Sequence, residues 1–168
     1  MPDSMTRIVR SGPPGTKTNI AVLGDGFTED DQSIYDDRVR ELLLEGVFDN
    51  DYFHEDLQAF NVYRVNLISN ESGVSQRTYD EKGTPSDASD DEIVSTDLRD
   101  TALGYIYSGS WAHCWMEAGE DSGEKIQDAL DTWVPDYDFV LIILNETGFG
   151  GCAGGIDVHV HYDSAQLC

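Results

Sequence analysis

The chain has 168 residues, with 33 Asp and Glu against 10 Lys and Arg, for a formal net charge of −23. That length is one domain's worth, able to bury its own core without disulfide or metal staples. So acidic a surface repels nucleic acid and anionic membrane and attracts cations; it suits either high salt, where screening removes self-repulsion, or ordinary acidic solubility.

The opening stretch "MPDSMTRIVRSGPPG" has no apolar run after its charges, so no secretory signal is expected in this chain. Residues 1–18 read as an N-terminal loop segment, and 19–168 as a single, incomplete α/β domain. Asn19 to Leu23 is the first strand, an apolar run that stops at Gly24-Asp25-Gly26. "TEDDQSIYDDRVRELLLEGVFDN" then reads as a helix. Thr28 is its N-cap, acidic residues fill its first turn, and Ile34, Val39, Leu42 and Leu43 form its apolar face.

"FNVYRVNLIS" is a second strand, with Val62, Val65 and Leu67 among polar neighbours. "NESGVSQRTYDEKGTPSDASDDEIVST" reads as one long polar loop, of the length that is functional or disordered in a compact domain. "DLRDTALGYIYS" is expected to be helical. "SGEKIQDALDTWV" is a firmer helix, capped by Ser122 and followed by Pro135.

"DFVLIILN" is the most hydrophobic run, the signature of a central strand covered on both faces. "ETGFGGCAGG" follows, whose glycines demand unusual backbone or close approach by another chain. "IDVHVHYD" closes the pattern with period-two alternation, placing His159 and His161 on one face with Asp157 and Asp163. This order of elements implies an α/β fold with a mixed, twisted sheet flanked by helices. Nowhere do about 18 apolar residues run together, so no transmembrane helix is expected. The odd set Cys114, Cys152 and Cys168 allows at most one internal bridge and contains no C-x-x-C zinc knuckle.

Several constellations bear on chemistry. "LGDGFT" matches the G-D-S turn of serine esterases except that Gly26 stands where the nucleophile should, so that reading fails. Phosphate-cradling G-x-G-x-x-G and P-loop patterns are absent. Asp25 is then either a strand-end carboxylate offered to a reaction or the pin of a turn, with Gly26 supplying a special backbone angle. A zinc-protease helix needs H-E-x-x-H; the nearest stretch, "HEDLQ" from His54, has Gln58 at the second position. His159 and His161 have the strand spacing some metal sites use, with His113 or Asp25 as conceivable third ligands. The plainer reading is the solvated outer face of an edge strand. The glycine-rich turn before them is either a plain turn or an edge where an extended peptide pairs.

Taken in order, "NIAVLGDGFTEDD", "FNVYRVNLISNESGVS", "DTALG" and "DFVLIILNETGFGGCAGG" resemble the N-terminal half of the catalytic domain of the IgA peptidase family of zinc metallopeptidases. The resemblance spans roughly residues 7–163. It implies a zincin-like half-domain and, for the complete parent, peptide-bond hydrolysis by a zinc-activated water with a glutamate base. The family pattern continues with an H-E-x-G-H helix that this sequence lacks. No catalytic residue is therefore carried over, and the chain is expected to be inactive with no tightly bound zinc. The resemblance also implies that Gly150, Gly151 and the strand after Gly155 form a wall of the substrate cleft, with His159 and His161 as wall residues rather than zinc ligands. Protein or peptide substrates are implied for the parent, and association through exposed edge strands for this chain. Two readings stand beside this one: a non-catalytic acidic α/β module binding cations or a protein partner, and a metal-dependent hydrolase using His159, His161 and an Asp.

Overall fold

The computed structural model describes residues 2–49, 56–110, 112–113, 116–147, 151–154 and 157–161, the last two segments through their backbone. Apolar strands dictate its centre. β1 (Ser4–Arg10), β2 (Thr18–Asp25), β3 (Phe60–Asn66), β8 (Phe139–Leu144), β9 (Gly151–Gly154) and β10 (Asp157–His161) form a six-stranded sheet. Its order is β1-β3-β2-β8-β10-β9. The four inner strands β3, β2, β8 and β10 run parallel, while β1 and β9 lie antiparallel at the two edges.

Alternation along β2 and β8 sorts the core into two halves, because successive side chains point to opposite faces. Val22, Leu141 and Ile143 face a cluster with Phe27, Tyr35, Val39 and Leu43. Those partners come from α1 (Gln32–Val39), which continues as a π-helical segment, Arg40–Val47, and from the turn before it. Ala21, Leu23, Val140, Ile142 and Leu144 face the other way, onto α2 (Ser122–Trp133) through Ala129 and Leu130. Both faces of β2 and β8 are thus covered, as their unbroken apolar runs require.

A second sheet completes that latter half. β4 (Ser75–Asp80), β5 (Glu92–Asp97), β6 (Tyr105–Tyr107) and β7 (Met116–Ala118) pair in the order β5-β4-β6-β7. Val74, Leu103, Tyr105 and Met116 carry it onto the core cluster beside α2.

The architecture is mixed α/β, as expected, but several elements differ. Residues 4–10 are an edge strand rather than part of a loop, held by an antiparallel ladder to β3. The long polar loop contains the β4–β5 pair, which β5 enters with every residue exposed. The helix expected around residues 97–108 is absent: Gly104 turns the chain at φ +76° and β6 follows. The apolar face of α1 also shifts, since Ile34 is 43% exposed and Tyr35 is the buried residue. Tyr35 fills that place because its ring packs on Phe27 and its hydroxyl donates to the Val22 carbonyl at 2.8 Å. Finally, β10 is not an edge strand; it is paired on both sides, to β8 and to β9.

Candidate functional site

In open parallel sheets, ligands bind beyond the carboxyl ends of the strands. Here β2 ends at Asp25, β8 at Leu144 and β10 at His161, side by side. Three connections converge on that end: residues 26–31, 67–74 and 99–104.

Asp25 is the centre of this convergence and is fully buried. Its Oδ1 accepts from the Leu103 N–H at 2.8 Å. Its Oδ2 accepts from the Tyr105 N–H at 2.9 Å and the Thr101 hydroxyl at 3.0 Å. Burial pushes the carboxyl up from its ordinary value, against the opposing pull of these hydrogen bonds and one from Gly26. A carboxylate so occupied has no face left for substrate or metal. Asp25 is the pin of the site's floor, and what it pins is the entry into β6 of the second sheet.

The two glycines beside it answer to close packing. At Gly24 an added Cβ would lie 2.9 Å from the Tyr35 ring. Gly26 has φ +79°, and a Cβ there would lie 2.6 Å from the Gly73 carbonyl oxygen. That approach is held by the Gly73 N–H donating to the Gly26 carbonyl at 2.8 Å. Ser69 Oγ accepts from the Gly26 and Ala102 N–H groups, both at 3.0 Å, while Asn145 Nδ2 donates to the Gly26 carbonyl at 2.9 Å. Asn145 lies just past β8 and also ties back to Asp25, donating its N–H to that residue's carbonyl at 2.9 Å.

Thr28 does not cap α1. Its N–H and hydroxyl instead donate to Asp31 Oδ2 at 3.1 and 2.8 Å, and the helix starts three residues later than expected, at Gln32. Partial burial pushes the Asp31 carboxyl up, but hydrogen bonds from the Ser72 hydroxyl and from Thr28 outweigh it and hold the group below its ordinary 3.8. Ser122 likewise is the first residue of α2 rather than its cap, donating its hydroxyl to the Gly104 carbonyl at 3.1 Å. The rim on the second-sheet side is Gln76, Tyr107 and Glu146. Gln76 donates to the Glu146 carboxylate, while burial, and then the charge of Glu146, holds the Tyr107 phenol above its usual range.

Other expected site residues fall as follows. Gly151 lies on β9, opposite Val160. His159 and His161 lie on β10, opposite Ile142 and Leu144 of β8. Gly150 and His54 lie outside the described residues. His113 is no spare ligand: its Nε2 is 2.9 Å from Asp91 Oδ2, and its ring stacks on Tyr79 with centroids 3.8 Å apart. Among the described strands, the one left with an unpaired edge on this side of the sheet is β9, not β10. Zinc, which the family resemblance implies, finds no fitting ligands among the described residues. Among the described residues no group of three or more His, Cys, Asp or Glu could hold a metal ion, and Asp25 is fully engaged.

Residue-pattern reasoning missed Ser69, Thr101 and Asn145, whose only signal was a small polar residue in the loop after a strand or at a strand's end. It had no means of finding Leu103 and Tyr105, because they act through backbone N–H groups.

The family profile described as IgA Peptidase M64 matches residues 6–164, nearly the whole chain. A comparison with curated proteins found no match.

Proposed function

The chain belongs to the IgA peptidase M64 family, and on that premise we propose that it forms the front part of a zincin-like zinc endopeptidase domain acting on protein or peptide substrates. The sequence contains no H-E-x-x-H, and among the described residues no group of metal-ligating side chains occurs; both support the reading that the 168-residue chain by itself is inactive and holds no tight zinc. Its contribution is the substrate wall and the frame beneath it.

One observation carries this reading. β9 is a short antiparallel strand closing an otherwise parallel set, and one side of its backbone is free of any described strand. Such an edge accepts an extended peptide through main-chain hydrogen bonds. Gly151 lies on that edge, and the absence of a side chain there lets a substrate backbone approach closely. The pinned turn around Asp25 and Asn145 fixes the ends of β2 and β8, and β8 pairs directly with β10, which in turn carries β9.

The test uses the purified 168-residue chain, assayed for hydrolysis of an unstructured protein and for zinc by metal analysis. Neither turnover nor stoichiometric zinc is expected. Turnover with one zinc per chain sinks the proposal and favours the metal-dependent hydrolase built on His159 and His161. The second reading, an acidic binding module, is favoured by the exposed strand β5.

A further inference from the structure

β5 contributes to neither half of the core. All six of its residues are exposed, and β4 is its sole partner among the described strands. Ile93 is 58% exposed, Val94 65% and Leu98, just past the strand's end, 71%. These are the three most exposed large hydrophobic side chains in the described chain, and they fall within six residues. Scattered single apolar residues on a surface are ordinary; a cluster along a free sheet edge is not, because edge strands are normally blunted by lysine, proline or irregular backbone. Here the edge carries a register shift between Ile93 and Ser95 and the carboxylates of Glu92 and Asp97, but no lysine or proline from 92 to 98.

Charge narrows the occupant. Residues 80–100 hold eight acidic groups (Asp80, Glu81, Asp87, Asp90, Asp91, Glu92, Asp97, Asp100) against Lys82 and Arg99. Both cations are already engaged, Lys82 with Asp80 and Glu92, and Arg99 with the Ser72 carbonyl. A second copy of a chain with net charge −23 is repelled from such an edge. A basic strand is attracted to it.

We propose that the free edge of β5 is a docking site for an extended basic polypeptide segment of a separate protein. The segment adds to the second sheet as a further strand, sets apolar side chains against Ile93, Val94 and Leu98, and places Lys or Arg against the flanking carboxylates. Strand geometry, about 3.3 Å per residue, sets its paired length at about six residues. The inference is independent of the peptidase reading, since β5 belongs to the other sheet.

The probe is a synthetic peptide of alternating lysine and valine, titrated onto the full 168-residue chain by fluorescence anisotropy and followed by amide hydrogen exchange. Binding is expected, with slowed exchange confined to residues 92–98. A glutamate–valine peptide should not bind, and a lysine–glycine peptide should bind at least tenfold more weakly. Val94→Lys and Leu98→Lys, both at solvent-facing positions, should each weaken binding at least tenfold, whereas Ile34→Lys on α1 should leave it unchanged. Should either lysine variant lose the native circular dichroism, Val94→Thr or Leu98→Thr replaces it with the same expected direction. The proposal is overturned by no binding, by equal binding of the lysine–glycine peptide, or by protection elsewhere. It is equally overturned if the protein alone dimerises with concentration and protects the same amides.

Discussion

The Oδ1 of Asp25 accepts a 2.8 Å hydrogen bond from the backbone N–H of Leu103, 78 residues further along the chain. Asp25 ends β2 in the large sheet, and Leu103 immediately precedes the turn into β6 of the small one. The carboxylate therefore joins the two sheets. Asp25→Ala leaves two buried N–H groups and the Thr101 hydroxyl without their acceptor, each costing about 1–3 kcal/mol. We expect a total loss of roughly 4 kcal/mol, or a Tm lower by roughly 8–16 °C for a chain of this size. Asp25→Asn keeps one acceptor oxygen and should fall between. A Tm for Asp25→Ala within a degree or two of the parent would show that the sheets are held by apolar packing alone.

The same residue shows what a sequence can disclose. Asp25 was visible as a carboxylate at a strand's end because Ile20–Leu23 is apolar on both faces, and so was β8 through "FVLIIL". Strands covered on two sides write their burial into every position. β5 does the reverse: both its faces are exposed, so no alternation marks it and "DDEIVST" passes for loop. β1 was equally hidden, since an edge strand with one buried residue, Val9, has little pattern to show. Around the site, Gly24 and Gly26 were legible as backbone requirements. Their reasons, the Tyr35 ring and the Gly73 carbonyl, lie 11 and 47 residues away in the numbering. Thr28 had the right residue type for a cap, but Asp31 takes its N–H and hydroxyl instead, moving the helix start to Gln32.

Gly26 should be the least replaceable position in the turn. Alanine there suffers twice, from a left-handed φ of +79° and from a Cβ 2.6 Å from a backbone oxygen that cannot swing aside. The conformational part alone costs about 1–2 kcal/mol, and the contact adds to it. Gly26→Ala should lower the Tm by at least as much as about 2 kcal/mol requires, and should speed amide exchange at Gly73, whose N–H is held by the Gly26 carbonyl. A Tm unchanged from the parent would contradict the close approach of the two loops.

Asp31 should make the turn sensitive to acid. Its folded-state carboxyl is held below 3.8, because the hydrogen bonds from Ser72 and Thr28 outweigh partial burial. A group depressed in the folded state stabilises it above the unfolded value, and that contribution is lost as pH falls through the folded one. Carboxyl-carbon NMR should therefore place the Asp31 midpoint below 3.8. The stability gap between the parent and Asp31→Asn should be constant near neutral pH and close below about pH 4. Thr28→Val, which removes one donor, should raise the Asp31 midpoint. If the midpoint lies at or above the ordinary value, the hydrogen bonds are not holding the charged form.

The charge balance predicts how the whole fold responds to salt. Its exposed ion pairs include Arg40 with Asp37 and Lys82 with Asp80 and Glu92. Each such pair contributes about 0–1 kcal/mol, and salt weakens it. Repulsion among 33 acidic groups, opposed by 10 basic ones, outweighs these attractions, and salt weakens that too. Raising ionic strength from 0.1 to 1 M shortens the screening length from about 10 to about 3 Å. Repulsion acts across many pairs at long range, whereas the attractive pairs lie within 4 Å, so screening removes more repulsion than attraction. The Tm should rise by roughly 5 °C between 0.1 and 1 M potassium chloride. The densely acidic stretch at residues 80–100 should show the greatest gain in amide protection. A Tm that is flat or falls with salt would mean that the charge is spread too thinly to strain the fold, and that the acidic composition serves solubility alone.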